Sequence, residues 1–301
     1  MADMFDVIGI GFTVLDYACL AATIPHDEKL EAQALSVHGG GPAATATCVA
    51  SRLGLKTAFA APVGDDLLGR QIIEDLIYFG VDVHAMVVHE GETSPIAFCW
   101  TDGQNGKRSI VWSGGTLTPM KQNELTMSVL DACRLLHLDG HHLEVAICAA
   151  RKAREQGVLV MLDAGVMFSG IEDLVALSDI VISSEGFASK FTRKGEPEAW
   201  VRALWGEHRR FAAVTMGDRG SIGFDGVSIF HQPAFVSDIV DTTGAGDTYH
   251  GAFSYGILKG MSWADCMQFA SAASALACSE LGGRGFLPSR RDVETFLTSW
   301  K

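Results

Sequence analysis

The sequence predicts an α/β fold, a doubly wound and mainly parallel sheet sandwiched by helices, with a small β-sheet lid. Three observations predict it. Short apolar runs alternate with helical patterns along nearly the whole chain, and several of those helices close on a glycine. Two stretches, 12–38 and 94–113, break the rhythm with no long helical pattern. Buried strands interleaved with helices call for right-handed crossovers and parallel pairing.

The elements follow in order. Val7 to Gly11 reads as a buried strand. Pro42 to Leu53 is Ala-rich with Gly54 behind it, a helix with a glycine stop. Thr57 to Val63 reads as a strand. Asp65 is placed to cap a helix whose apolar positions Leu67, Leu68, Ile72, Ile73, Leu76 and Ile77 keep helical spacing up to Gly80. Strands are expected at Leu135–Leu138, Val158–Leu162, Ile180–Ser183 and Phe211–Thr215. Helices are expected at Leu143–Gln156, 245–258, 262–279 and 289–300. In the first irregular stretch the chain lacks a helix. In the second, Pro95–Thr101 and Arg108–Ser113 are β-runs around a turn at Asp102–Gly106. Together these form the expected lid, with Ile96, Phe98, Trp100, Ile110 and Trp112 read as one apolar face that covers substrate or pairs with a second copy, giving a homodimer.

The chain has 301 residues and no linker-like stretch, so 1–301 is expected to form one continuous body. With 48% hydrophobic and 20% charged residues it is not disordered. A net charge of −13 supplies no basic surface for a phosphate backbone, so no nucleic-acid partner is expected. Seven cysteines, an odd number without a C-x-x-C pair, read as reduced thiols in a reducing compartment. The start, MADMFDVIGIG, carries no secretory pattern, and no apolar run reaches 18 residues. A cytoplasmic protein with no membrane partner is the expectation.

The chemistry is concentrated in Asp241-Thr242-Thr243-Gly244-Ala245-Gly246-Asp247. It follows a β-like run, Phe235–Val240, and opens a helix. The glycines let backbone N–H groups approach a ligand, and the helix end adds roughly half a positive charge. The N–H groups of Gly244, Ala245 and Gly246 therefore read as an anion hole for a phosphoryl group in transfer. Asp247, at the same helix end, is placed to take a proton from an attacking hydroxyl. The plainer reading makes Asp247 a helix cap and the glycines a turn. Gly39-Gly40-Gly41 offers bare backbone to a polyhydroxylated ligand, and Thr215-Met-Gly217-Asp-Arg-Gly220 ends a strand in a turn suited to a nucleotide phosphate. Gly9-x-Gly11 fails as a dinucleotide turn, because Val14 stands where the third glycine belongs.

Gly39–Gly41 with Ala43–Ala44, the Val-Gly-Asp-Asp of Val63–Asp66, Val214–Gly220 and Asp241–Asp247 occur in the order that resembles the ribokinase/PfkB family of carbohydrate kinases, over nearly the whole chain. The resemblance implies an α/β sandwich with a β-sheet lid and ATP-dependent transfer to a hydroxymethyl group of a small sugar substrate. It makes Asp247 the base and Gly244–Gly246 the anion hole. It makes Asp16, Gly40 and Gly41 substrate contacts, and Thr215, Gly217 and Gly220 the nucleotide turn. It implies Mg²⁺ travelling with ATP, and a monovalent cation such as K⁺ held by Asp241 and Thr243 with the loop Ser279–Arg284, Ser279 and Gly282 included.

Two departures stand out. Where the family often has Asn-x-x-Glu, this chain reads Ser183-Ser184-Glu185, so Ser184 and Glu185 are the stand-ins on the cofactor side. Pro-Ala-Ala-Thr follows the glycines instead of the ribokinase Lys-Gly-Ala-Asn. That string is closer to a sulfofructose kinase branch, in which Lys29 would match one sulfonate ligand while Trp112 and His141 occupy the other two places. Arg108 is expected to meet a substrate anion or a lid carboxylate. His137, Asp139, His141 and His142 match no zinc template and read as substrate contacts or structural groups. Arg284, Arg290 and Arg291 read as surface charges, with Arg284 the one that approaches nucleotide. The rivals are a nucleoside kinase of the same fold, which the aromatic lid permits, an oxidoreductase, and a sugar-binding regulator without catalysis.

Overall fold

The computed structural model describes residues 4–104, 106, 108–193 and 195–300. An eight-stranded sheet runs, edge to edge, Ile229–Gln232, Ser221–Phe224, Phe211–Thr215, Ile180–Ser184, Leu159–Ala164, Cys133–Leu138, Phe5–Ile10 and Thr57–Ala60. The first two pairings, among the first three strands, are antiparallel and the other five are parallel. Alternation along each strand separates two cores. Val7, Phe59, Leu135 and Phe211 face the helices Pro42–Arg52, Leu67–Tyr78, Ala245–Leu258, Trp263–Ala277 and Arg290–Ser299. Ile8, Leu136, Val160 and Ala212 face Leu143–Glu155, Ile171–Leu177, Glu185–Thr192 and Pro197–Ala203. Period-two side chains buried on both faces explain why these strands read as unbroken apolar runs.

Two helices on the first side lie unusually close. A Cβ on Gly251 would stand 2.4 Å from the Ala46 carbonyl oxygen. The small side chains of Pro42–Arg52 and Gly251 let the two backbones touch, which explains the alanine-rich stretch.

The lid is a separate four-stranded sheet in the order Ala34–Gly40, Val14–Ala21, Ile96–Asp102, Arg108–Ser113. Its register corrects the single apolar face expected from the sequence. Phe98 pairs with Val111 and Ala97 with Trp112, so Phe98 and Trp100 lie on one face and Ile110 and Trp112 on the other. The inner face puts Ala18, Ala97 and Cys99 against Leu281. The turn at Asp102–Gly106 contains Asn105, which lies outside the described residues, as do the first three residues of the N-terminal segment.

Other expectations shift for local reasons. Thr57–Val63 divides, because Pro62 brings no N–H to a ladder. Pro62–Gly64 pairs instead with Val87–His89. The helix cap is Asp66 and not Asp65: Asp66 accepts from the Gly69 N–H at 2.8 Å, while Asp65 accepts from the Gly91 N–H. Phe235–Val240 is no strand. Val236 and Ile239 are exposed, and the segment is tied to Cys278 O by the Val240 and Asp241 N–H groups. Among the described residues no helix is long and apolar enough to cross a membrane, and the seven cysteines are free thiols.

Candidate active site

The parallel strands end on one edge of the sheet, where open α/β folds place ligands. The Ala245–Leu258 helix starts there. Gly244 has φ 74° and packs so tightly that a Cβ would lie 2.5 Å from the Gly283 carbonyl oxygen, so only glycine makes the entry. Asp241 staples the loop. Its Oδ1 accepts from the Thr243 N–H and hydroxyl, and its Oδ2 from the Gly282 N–H at 2.9 Å. Of the expected anion-hole amides, Ala245 is turned away, its N–H bonding Thr242 O at 3.3 Å. Gly246 lines the cavity described below, and a Cβ on it would meet nothing within 4 Å. Burial pushes the Asp247 carboxyl up to about 6, against the opposing charges of Arg108 and Arg284.

A cavity of about 400 Å³ adjoins this helix end. Thr215, Gly217 and Gly220 meet Ala245 and Gly246 in its wall, so the two glycine turns come together although 25 residues or more separate them in sequence. Phe235, Ile239 and Ala275 supply an apolar side. Arg108 reaches this wall from the lid, and its Nη1 donates to the Thr242 hydroxyl at 2.8 Å. Its long side chain thus spans from the lid to the Thr242 turn, where the hydroxyl takes the place of the lid carboxylate expected as its partner. Ser184 caps a helix by accepting from the Phe187 N–H, and Glu185 is paired with Arg219. Neither lines the cavity.

The residues expected to contact the acceptor come from distant segments. Asp16, on the inner lid face, lies across Gly40, whose Cβ would stand 2.1 Å from Asp16 Oδ2. Burial raises the Asp16 carboxyl to about 7, with Arg284 opposing and Asp247 adding to the rise. Gly41 has φ 98° and abuts Phe12 O. Trp112 shares a cross-strand row with Ala97 and Asp16. Its ring meets Phe12 edge-on at 5.8 Å, Phe12 stacks on His141 at 4.8 Å, and His141 meets Phe168 at 4.9 Å. Phe12 and Phe168 were missed in the sequence, because isolated aromatics in loops give no periodic signal. Lys29 is exposed on the connection between the first two lid strands.

The histidine cluster separates into different tasks. Asp139 is buried and brackets three segments, accepting from the N–H groups of Phe12, Ala43 and His141. Burial works against its charge, yet the His141 and backbone donors hold its pKa below the ordinary value. Gly11 is bare because a Cβ would sit 2.3 Å from that carboxylate, which accounts for the glycine without a dinucleotide. His142 accepts from the Met120 N–H, and His137 lies in the core with its pKa lowered by burial to about 4. Among the described residues no group of three or more His, Cys, Asp or Glu is arranged to hold a metal ion. Arg290 and Arg291 are exposed, but Arg284 is 1% exposed, against its reading as a surface charge. It turns toward the acceptor loop, not the nucleotide turn, donating to Gly40 O, the Thr45 hydroxyl and Asp75. Buried arginine is rare without partners, and here three acceptors surround it.

The family model described as pfkB family carbohydrate kinase matches residues 4–290. A nucleoside kinase of Methanothermobacter thermautotrophicus is 27% identical over 308 residues, covering 100% of this chain and 98% of its own. A ribokinase of Haemophilus influenzae is 27% identical, covering 90% of each chain. The crystal structure of a provisionally named ribokinase from Agrobacterium tumefaciens superposes with a TM-score of 0.92 at 27% identity, covering 99% and 98% of the two chains.

Proposed function

Since this chain belongs to the pfkB family of carbohydrate kinases, we propose that it transfers the terminal phosphoryl group of ATP to a primary hydroxyl of a sugar or sugar-like small molecule. It is a phosphotransferase with an alcohol acceptor. The observation that carries this is the place of Asp247. A carboxylate with a raised pKa stands in the first turn of a helix, next to Gly246 of the cavity wall and close enough to Asp16 for the two charges to interact.

Each residue then has a task. Asp16 accepts hydroxyls of the acceptor, and Gly40 and Gly41 let the ligand lie on bare backbone. Asp247 takes the proton of the attacking oxygen. The Gly246 amide and the Arg108 guanidinium face the phosphoryl oxygens as charge gathers on them. Without a carboxylate cluster among the described residues, Mg²⁺ would be held mainly by the nucleotide's own phosphates, whose charge it offsets. The Arg108–Ser113 strand carries Arg108 and Trp112 over the site, so lid closure completes it and excludes water.

The aromatic row Trp112, Phe12, His141 supports a second reading, a nucleoside acceptor whose base stacks against it. Three finer proposals accompany the first. A monovalent cation such as K⁺ sits against the buried Asp241 carboxylate and the Thr243–Ser279–Gly282 loops. A second copy of the chain covers the outer lid face, where Val37, Tyr17, Phe98 and Val111 form an exposed apolar row. Seven unpaired thiols fit a reducing cytoplasm.

The test is acceptor-dependent ADP release with ATP and Mg²⁺ across pentoses, hexoses and nucleosides. Release with one class supports the reading and selects the acceptor. Acceptor binding without any release would leave a sugar-binding protein and overturn it.

A further inference from the structure

Arg284 lies outside every reacting position yet holds the acceptor floor together. Its side chain is fully enclosed. Nε donates to the Thr45 hydroxyl at 3.1 Å, Nη2 to Gly40 O at 3.2 Å, and Nη1 to the Asp75 carboxylate. Those partners belong to three separate elements: the Pro42–Arg52 helix, the Ala34–Gly40 strand and the Leu67–Tyr78 helix. The arginine itself comes from the loop tied to Asp241, which opens the phosphate turn.

The glycine run is shaped around this group. A Cβ on Gly39 would sit 2.5 Å from Arg284 Nη1 and 2.6 Å from Asp75 Oδ2. The next residue, Gly40, has its carbonyl held by Arg284 while Asp16 lies across its Cα. The neighbouring glycines thus have separate causes. Gly39 makes room for the ion pair, and Gly40 makes room for the carboxylate that faces the acceptor. The charge of Arg284 also opposes the burial that raises Asp16 and Asp247.

We propose that Arg284, through its bonds to Gly40 and Asp75, is a positioning residue for the acceptor: it fixes the Gly39–Gly41 backbone and the facing Asp16 without touching the nucleotide. This rests on the phosphotransferase reading of the same site. A fork of donors serves three separate acceptors at once, and lysine offers a single point charge in its place. The arrangement therefore selects arginine.

The experiment compares Arg284→Lys, Gly39→Ala and Asp75→Asn with the unaltered protein. Steady-state kinetics are run for ATP and for the acceptor found active, with calorimetric acceptor binding and a melting temperature for each. The expected result is an acceptor KM raised at least about tenfold in Arg284→Lys and Gly39→Ala, with the ATP KM within about threefold. Gly39→Ala keeps both charges and only wedges the pair, so it carries the test if Arg284→Lys fails to fold. An unchanged acceptor KM in a folded variant overturns the proposal. So does a parallel loss for both substrates that tracks the melting temperature, or unfolding of all three variants, since the role is then structural. If the unaltered protein binds acceptor but releases no ADP, the phosphotransferase reading fails by itself, and calorimetry still decides the role of Arg284.

Discussion

The two halves of the site are made differently. The half proposed for the nucleotide centres on two contiguous glycine-bearing strings, Thr215–Gly220 and Thr242–Gly246, with an apolar side from Phe235, Ile239 and Ala275. The half proposed for the acceptor adds to the Gly40–Gly41 backbone side chains delivered from four separate segments: Phe12 with Asp16, Trp112, His141 and Arg284. Backbone recognition of a phosphate demands a short fixed sequence, because each amide must follow the last. Side-chain recognition lets each group come from wherever the fold brings it.

The largest expected effect breaks the comparison at its seam. Asp247→Asn should lower kcat on the order of a thousandfold with ATP binding retained, measured by ADP release and nucleotide titration. The same carboxylate sets the pH response. Its raised pKa means that protonation below about 6 removes the base, so kcat should fall roughly tenfold per pH unit there and level off above. A kcat flat from pH 5 to 7 would exclude Asp247 as the base.

Asp16→Asn should next raise the acceptor KM by roughly ten- to a hundredfold, the worth of a charged hydrogen bond or two, and leave the ATP KM alone. Equal changes in both would dissolve the division into halves. Arg108→Ala should cost about tenfold, in kcat more than in acceptor KM, because its contact is Thr242 in the phosphate turn. A loss confined to acceptor KM would return Arg108 to the sugar side. The smallest effect belongs to the outer lid. Phe98→Lys should convert a dimer to a monomer in sedimentation while kcat changes by less than about twofold.

Legibility follows the same division. The Ala245–Leu258 helix and the Phe211–Thr215 strand appear where the residue pattern predicts them, because both are long or strongly apolar and flanked by glycine turns. The short helices Ile171–Leu177, Glu185–Thr192 and Pro197–Ala203 were not separable, since seven or eight residues give barely two turns of periodicity. Phe235–Val240 misled because β-branched composition says nothing about whether a sheet edge is available. Arg284 misled because a charge in a glycine-rich loop reads as solvated, and its three acceptors lie 209 to 244 residues away. Ile110 and Trp112 were grouped with Phe98 because strand alternation alone cannot assign a face until the pairing register is known.

The contact of Gly251 with the Ala46 carbonyl has a practical consequence for redesign. The helix that carries Asp247 and the helix that follows the glycine run meet at Gly251, where a Cβ would strike both the Ala46 carbonyl and the Val49 side chain. The floor beneath the reacting hydroxyl therefore works as a fixed anvil. Enlarging the range of acceptors should succeed through replacements in the overhanging strands and the aromatic row, and fail through attempts to spread the helices apart.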